Sequence, residues 1–317
     1  MKPINEPVKH HFLPQFYLNR WANSRHSGEF FRYSKPYNDV LKGKWVSAGQ
    51  TGYQDYLYTF ADGQTGKSIN LELDLLKSVD DVAAKILANF ENGKTPISGT
   101  PERIGWARFL ICQQMRLPED IEQLRSMASE QWKNTIPSLQ ASYDQWRNGQ
   151  GQENISEFLQ ANFPQQDSEL AADMAKRLLI HDGITNLISS MRWRIIEFTE
   201  DCHPLLTSDR PVWVSATLKE KDDFLWMPIG PRKLFVAAVD DAVLNILSAR
   251  PKRQLAKSTN EIIVKTAFQS VYAIDDSVTQ FVEKRFAIAP HSRLLELVAR
   301  HRGLTIRNKR SPSYENI

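Results

Sequence analysis

Two adjacent histidines, His10 and His11, precede Pro14 and Gln15, with Tyr17, Leu18 and Trp21 spaced for the inner face of a short helix starting at the proline. Free backbone N–H groups at a helix start favour anions and push a nearby imidazole towards its neutral form. A neutral imidazole can take up a proton, ligate a metal or donate one hydrogen bond. Gln15 adds an amide donor. The set suits a phosphate or a carboxylate, with His10 or His11 as general base, although Pro14 removes one N–H from it. The same residues also fit a structural role, one histidine bonded across to a sheet and the other facing solvent.

A second carboxylate-bearing stretch is Leu205-Leu206-Thr207-Ser208-Asp209-Arg210-Pro211. Ser-Asp ahead of a proline, between two strand-like runs, predicts a turn in which Asp209 accepts from backbone N–H groups two residues on. Loops at strand ends also present catalytic groups, and there Asp209 would orient a histidine, act as a base or bind a cation. Ser208 lacks the small-residue elbow of a nucleophilic serine, so a Ser-His-Asp hydrolase is disfavoured.

Gln113 and Arg116 share one face of a helix with Phe109. Arg116 either balances the helix C-terminus or, if that helix borders the histidines, clamps an anion. Asn260 is placed to cap a late helix. Cys202-His203 chelates poorly as an adjacent pair with no C-x-x-C partner, Cys112 reads as core, and His181 as a satisfied histidine on an apolar face. A divalent metal is compatible with the histidines and Asp209, but no spacing specifies it or any other cofactor. Walker, G-x-G-x-x-G, H-E-x-x-H and kinase motifs are missing.

The segments His10-His11-Phe12-Leu13-Pro14-Gln15-Phe16-Tyr17-Leu18 and Thr207-Ser208-Asp209-Arg210-Pro211 resemble a widespread bacterial family among the domains of unknown function. Its members open with His-His-x-x-Pro-Gln-x-x-Leu and later carry Thr-Ser-Asp-x-Pro. The similarity runs on through Gln113 and Arg116, Pro228 and Pro231, and a late helix led by Asn260, over about residues 8–275. It departs at Arg210, where a small polar residue is expected. The resemblance implies a fold rather than an activity or a cofactor.

Those residues must be positioned by a chain of 317 residues with 41% hydrophobic and 24% charged content, ordinary globular values. Two cysteines make no disulfide framework and suit a reducing compartment, so a cytoplasmic location is expected. No apolar run is long enough to span a membrane. The net charge of +3 excludes a basic coat. Local clusters at Arg250, Lys252, Arg253 and Lys257, and at Arg293, Arg300, Arg302, Arg307, Lys309 and Arg310, would still serve a phosphate backbone or a solvated face. Oligomeric state is not readable.

Short strands are predicted before residue 64, an almost wholly helical region over 65–190, an α+β region over 191–303 and a mobile basic tail over 304–317. Helices are expected at about 71–92, from a cap at Thr100 with Pro101 inside, from Pro118 until Pro137 breaks or kinks it, and as one long helix over 168–190. Later helices are expected at 241–248, 257–272 and 277–285. The fold class is α+β, a helical middle packed on a mixed or antiparallel sheet built from both ends of the chain. The functional expectation is a hydrolase or transferase acting on a phosphate-bearing substrate, perhaps nucleic acid. Its catalytic groups would be His10, His11 and Asp209, with Gln15, Gln113, Arg116, Ser208 and Asn260 binding substrate. The competing expectation is a non-enzymatic sensor or partner-binding module held together by those residues, or a nucleic-acid-binding protein.

Overall fold

The structure, a computed structural model, describes residues 8–36, 40–61, 68–151, 154–215 and 218–289. The expected basic tail over 304–317, and Arg293, Arg300, Arg302, Arg307, Lys309 and Arg310, lie outside them.

The chain begins with β1 (Lys9–His11), α1 (Gln15–Leu18), β2 (Phe30–Ser34), β3 (Lys42–Val46), β4 (Tyr53–Asp55), β5 (Thr59–Ala61) and β6 (Ser68–Asn70). A helical middle follows, with α2 (Lys77–Glu91), α3 (Pro101–Met115), α4 (Pro118–Arg147), α5 (Ile155–Asn162), α6 (Gln166–Leu179) and α7 (Asp182–Ser190). Strands return as β7 (Arg192–Glu197), β8 (Thr207–Ser208), β9 (Trp213–Val214), β10 (Phe224–Gly230) and β11 (Lys233–Ala238). The described chain closes with α8 (Asp241–Ala249), α9 (Lys252–Thr266), β12 (Ser270–Ala273) and α10 (Thr279–Glu283).

Two four-stranded sheets carry the architecture, in the orders β7-β11-β10-β9 and β3-β2-β12-β8, and every pairing in them is antiparallel. The second sheet joins both ends of the chain, because β2 pairs with β12 from Phe31 opposite Ala273 to Ser34 opposite Ser270. The fold is therefore α+β with a helical middle, as the patterning indicates.

Alternation along the strands sorts side chains between two cores. Phe30, Val46 and Tyr272 face the first core, which contains α1, α2 and α3. Tyr33, Val271 and Ala273 face the second, under α8 and α9. Gly105 lets α3 approach α2 closely, since a Cβ there would fall 2.5 Å from Val82 Cγ1.

Thr100 caps α3, its side chain accepting from the Arg103 N–H, with Pro101 at the first helical position. Four expectations need correction. α4 does not break at Pro137 but runs on through it; the proline is exposed, so the carbonyl it leaves without a partner faces water. The expected 168–190 helix is two helices, and His181 is not a buried face residue: it caps α7, its Nδ1 accepting from the Ile184 N–H at 3.3 Å. α9 starts at Lys252 and ends at Thr266, leaving Tyr272 in a strand, so Asn260 is mid-helix and caps nothing. The opening helix has only four residues, and Pro14 is its N-cap rather than its first helical residue.

Candidate functional site

The opening histidines lie in a strand, not in a helix cap. β1 pairs with β4, His10 opposite Gln54 and His11 opposite Tyr53. Alternation then separates the two imidazoles. His10 is fully buried, its ring stacked on that of Tyr58, and its Nδ1 accepts the Tyr58 backbone N–H at 3.0 Å. His11 is half-buried and tilted against the Tyr53 ring. The Gln15 amide nitrogen stands 3.4 Å from His11 Nε2, a contact in which a neutral imidazole accepts. Burial first, then the Arg116, Lys9 and His10 charges, pull the His11 pKa below its ordinary value. A four-residue helix contributes little dipole, so the expected cause is replaced by burial and charge.

Arg116 is the hub beneath this strand. It is fully buried, and its Nε donates to the Phe12 carbonyl at 2.9 Å, tying α3 to the residue after His11. Its Nη1 contacts both Asp80 oxygens, at 3.0 and 3.2 Å. With the amide oxygen turned inwards, Gln113 accepts from Nε at 2.7 Å and from Nη2. The Arg116 carbonyl accepts from the Tyr58 hydroxyl at 2.7 Å, which closes a ring of contacts back to His10. Burial raises the Asp80 pKa and the Arg116 charge opposes it. The guanidinium is thus engaged by the protein itself rather than held open for an anion.

The second motif crosses between sheets: β8 pairs with β12 and β9 with β10, and Asp209 begins the crossover. Its carboxylate does not form the expected local turn. It accepts from the backbone N–H groups of Phe268 at 2.9 Å, Gln269, and Ser270 at 3.0 Å, some sixty residues away. Complete burial outweighs those three bonds and raises its pKa to about 6. Ser208 makes the local bond instead, its Oγ accepting the Arg210 N–H at 3.1 Å. Arg210 pairs with Glu119 at the start of α4 and lies over the Phe268 ring.

Asn260 clamps the irregular segment just before β8 from within α9. Its Oδ1 accepts the Leu206 N–H at 2.8 Å and its Nδ2 donates to the Pro204 carbonyl at 2.9 Å.

His11, Gln15, Gln113 and Arg116 therefore meet, whereas Asp209 and Asn260 face other backbone segments; Asp209 makes no hydrogen bond to His11. Among the described residues no group of three or more His, Cys, Asp or Glu is arranged to hold a metal. Cys112 is fully buried, with its thiol pushed up to about 12, and Cys202 is also buried. In the basic stretch after α8, Arg253 pairs with Asp201 and Lys252 donates to the Ser248 carbonyl.

Sequence patterning missed Tyr17, Thr207, Asp80 and Tyr58 as partners. The Tyr17 hydroxyl lies 2.6 Å from Thr207 Oγ1 and donates to the Pro228 carbonyl at 2.8 Å, joining the two motifs directly. Their proximity within the two signature segments was the only available signal. Asp80 reads as one more charged position in an amphipathic helix.

Fold and site together define a class: an α+β protein whose signature residues are mostly buried, tying distant backbone segments to one another. The chain belongs to DUF4238, a family of proteins of unknown function, whose model matches residues 9–277. Neither the curated proteins nor the solved structures compared with it include a match. No helix among the described residues is long and apolar enough to cross a membrane.

Proposed function

We propose that this protein is a binding module for a phosphate-bearing ligand, in which the signature residues frame the site and the rim around His11 and Gln15 contacts the ligand. The observation that supports the frame is shared by three of them. His10, Asp209 and Asn260 each spend their buried polar atoms on main-chain groups far away in sequence. Groups committed in that way hold a shape and are poorly placed to exchange protons with a substrate.

The rim differs. His11 and Gln15 are accessible, and their nitrogens supply an acceptor and a donor beside the Arg116 charge. A second reading, a hydrolase or transferase on a phosphate-bearing substrate, is favoured by one observation: the neutral, half-exposed His11 imidazole is a competent general base. The two unpaired cysteines fit a reducing, cytoplasmic setting.

The test is a melting screen of the full chain against phosphorylated small molecules, run beside Gln15→Ala and His11→Ala. Stabilisation of wild type that both variants weaken supports the module. Absence of any stabilisation overturns it. Phosphate release that His11→Ala abolishes, with binding retained, establishes the second reading instead.

A further inference from the structure

On the first-core face of the β3-β2-β12-β8 sheet, two cations stand side by side without an ion pair. Arg32 on β2 lies directly opposite Lys44 on β3, and opposite Tyr272 on β12 on its other side. Phe30 and Tyr272 point into the first core, so alternation turns Arg32 and Lys44 to that same face. Like charges directly opposite each other on neighbouring strands are destabilising, and an anion bound between them would offset that repulsion.

No acid of the described residues forms an ion pair with either. The carboxylate whose field reaches Arg32 is Asp209, and its oxygens are taken by the amides of residues 268–270. Arg32 makes one hydrogen bond, from Nε to Ser270 Oγ at 3.1 Å, which fixes the guanidinium plane and leaves both terminal nitrogens uncommitted. An exposed lysine on an edge strand can serve merely to discourage strand pairing, and that accounts for Lys44. It does not account for Arg32, which is half-buried on an interior strand.

The row is also connected to the segment that carries His11 and Gln15. Tyr272 shares a 3.0 Å hydrogen bond with Thr51, and the neighbouring Gly52 carbonyl accepts the Phe12 and Leu13 N–H groups. In the turn just before it, a Cβ on Gly49 would lie 3.7 Å from the Gln15 amide oxygen. Buried contacts thus link the strand that pairs with Arg32 to the turn beside Gln15.

We propose that Arg32 and Lys44 grip the phosphate of the ligand, Arg32 through its two free terminal nitrogens and Lys44 as a point charge. This rests on the phosphate-binding reading and names the charges that carry it. The phosphate can belong to a free small molecule or to a nucleic-acid strand; the chemistry of recognition is the same.

Titration calorimetry of the full chain with inorganic pyrophosphate at low salt tests it. The variants are Arg32→Gln, Lys44→Gln and the double variant, with Lys133→Gln on α4 as a control. Each single change is expected to weaken binding by about tenfold or more, the loss of one charge-assisted hydrogen bond, while the control binds as wild type. If Arg32→Gln fails to fold, Lys44→Gln, exposed and making no hydrogen bond, decides the matter alone. Wild-type binding that Lys44→Gln and the folded Arg32 variants leave unchanged overturns the assignment and spares the phosphate-binding reading. No binding by wild type overturns both. A single-stranded oligonucleotide titrated in parallel identifies the source: tighter binding than pyrophosphate indicates a nucleic-acid strand, weaker binding a free molecule.

Discussion

Tyr17 and Thr207, 190 residues apart in sequence, share a 2.6 Å hydrogen bond between buried hydroxyls. Because the Tyr17 O–H is donated to the Pro228 carbonyl, Thr207 must be the donor to Tyr17. One hydroxyl therefore connects the opening helix to both four-stranded sheets. Tyr17→Phe keeps the ring and its edge contact with Trp21 but leaves the Thr207 hydroxyl and the Pro228 carbonyl without it. A loss of about 1–3 kcal/mol in denaturant unfolding is expected. An unchanged midpoint would show that this connection contributes nothing.

Removing Arg116 should be the most damaging single change near the histidines. Arg116→Met leaves Asp80, the Phe12 carbonyl and Gln113 without their cation, a loss of about 3–5 kcal/mol for a broken buried pair. Adding Asp80→Leu should recover part of it, since the orphaned charge goes too. Equilibrium unfolding of the single and double variants checks both statements.

Asp209 makes stability depend on pH in an unusual direction. Its folded pKa of about 6 lies above the unfolded value near 3.8, so the folded state holds the proton more tightly. The contribution is full below about pH 4 and is lost as pH rises through about 6, for a total of roughly 3 kcal/mol. Asp209→Asn, which cannot ionise, should lack that slope, although its NH2 group facing three amide donors lowers its stability throughout. Unfolding free energies measured from pH 4 to 7 decide it; parallel curves for the two proteins would refute the assignment.

The opposite sign applies at His11. Its folded pKa is depressed, so its contribution is full above the unfolded value near 6.5 and is lost as pH falls through the folded one. NMR titration should place the His11 midpoint below 6.5. Lys9→Gln should raise that midpoint only a little, because burial is the larger cause.

What was legible in the sequence was local. Thr100 followed by Pro101 announces a helix start that needs no tertiary partner, and it stands where patterning puts it. Asn260 misled because a polar residue with cap-forming chemistry looks the same at a helix start as in mid-helix, where it clamps residues 204 and 206. His181 misled in the reverse sense, a capping residue hidden in an apolar periodicity that continues across two helices. Asp209 stands out in the sequence as a turn carboxylate, but its partners at 268–270 come from a strand pairing that no local pattern encodes. Arg32 escaped notice for the same reason, since its neighbour Lys44 becomes significant only once β2 and β3 are in register.

The pairing of β2 with β12 has a consequence for how the protein is made. Residues 31–34 wait for partners at 270–273, so the sheet cannot assemble until most of the chain has left the ribosome. The helices between them need only near neighbours and can form meanwhile. During that interval Phe30, Tyr33 and the edge of β2 that β12 later covers are exposed, and at this stage the growing chain is open to misassociation.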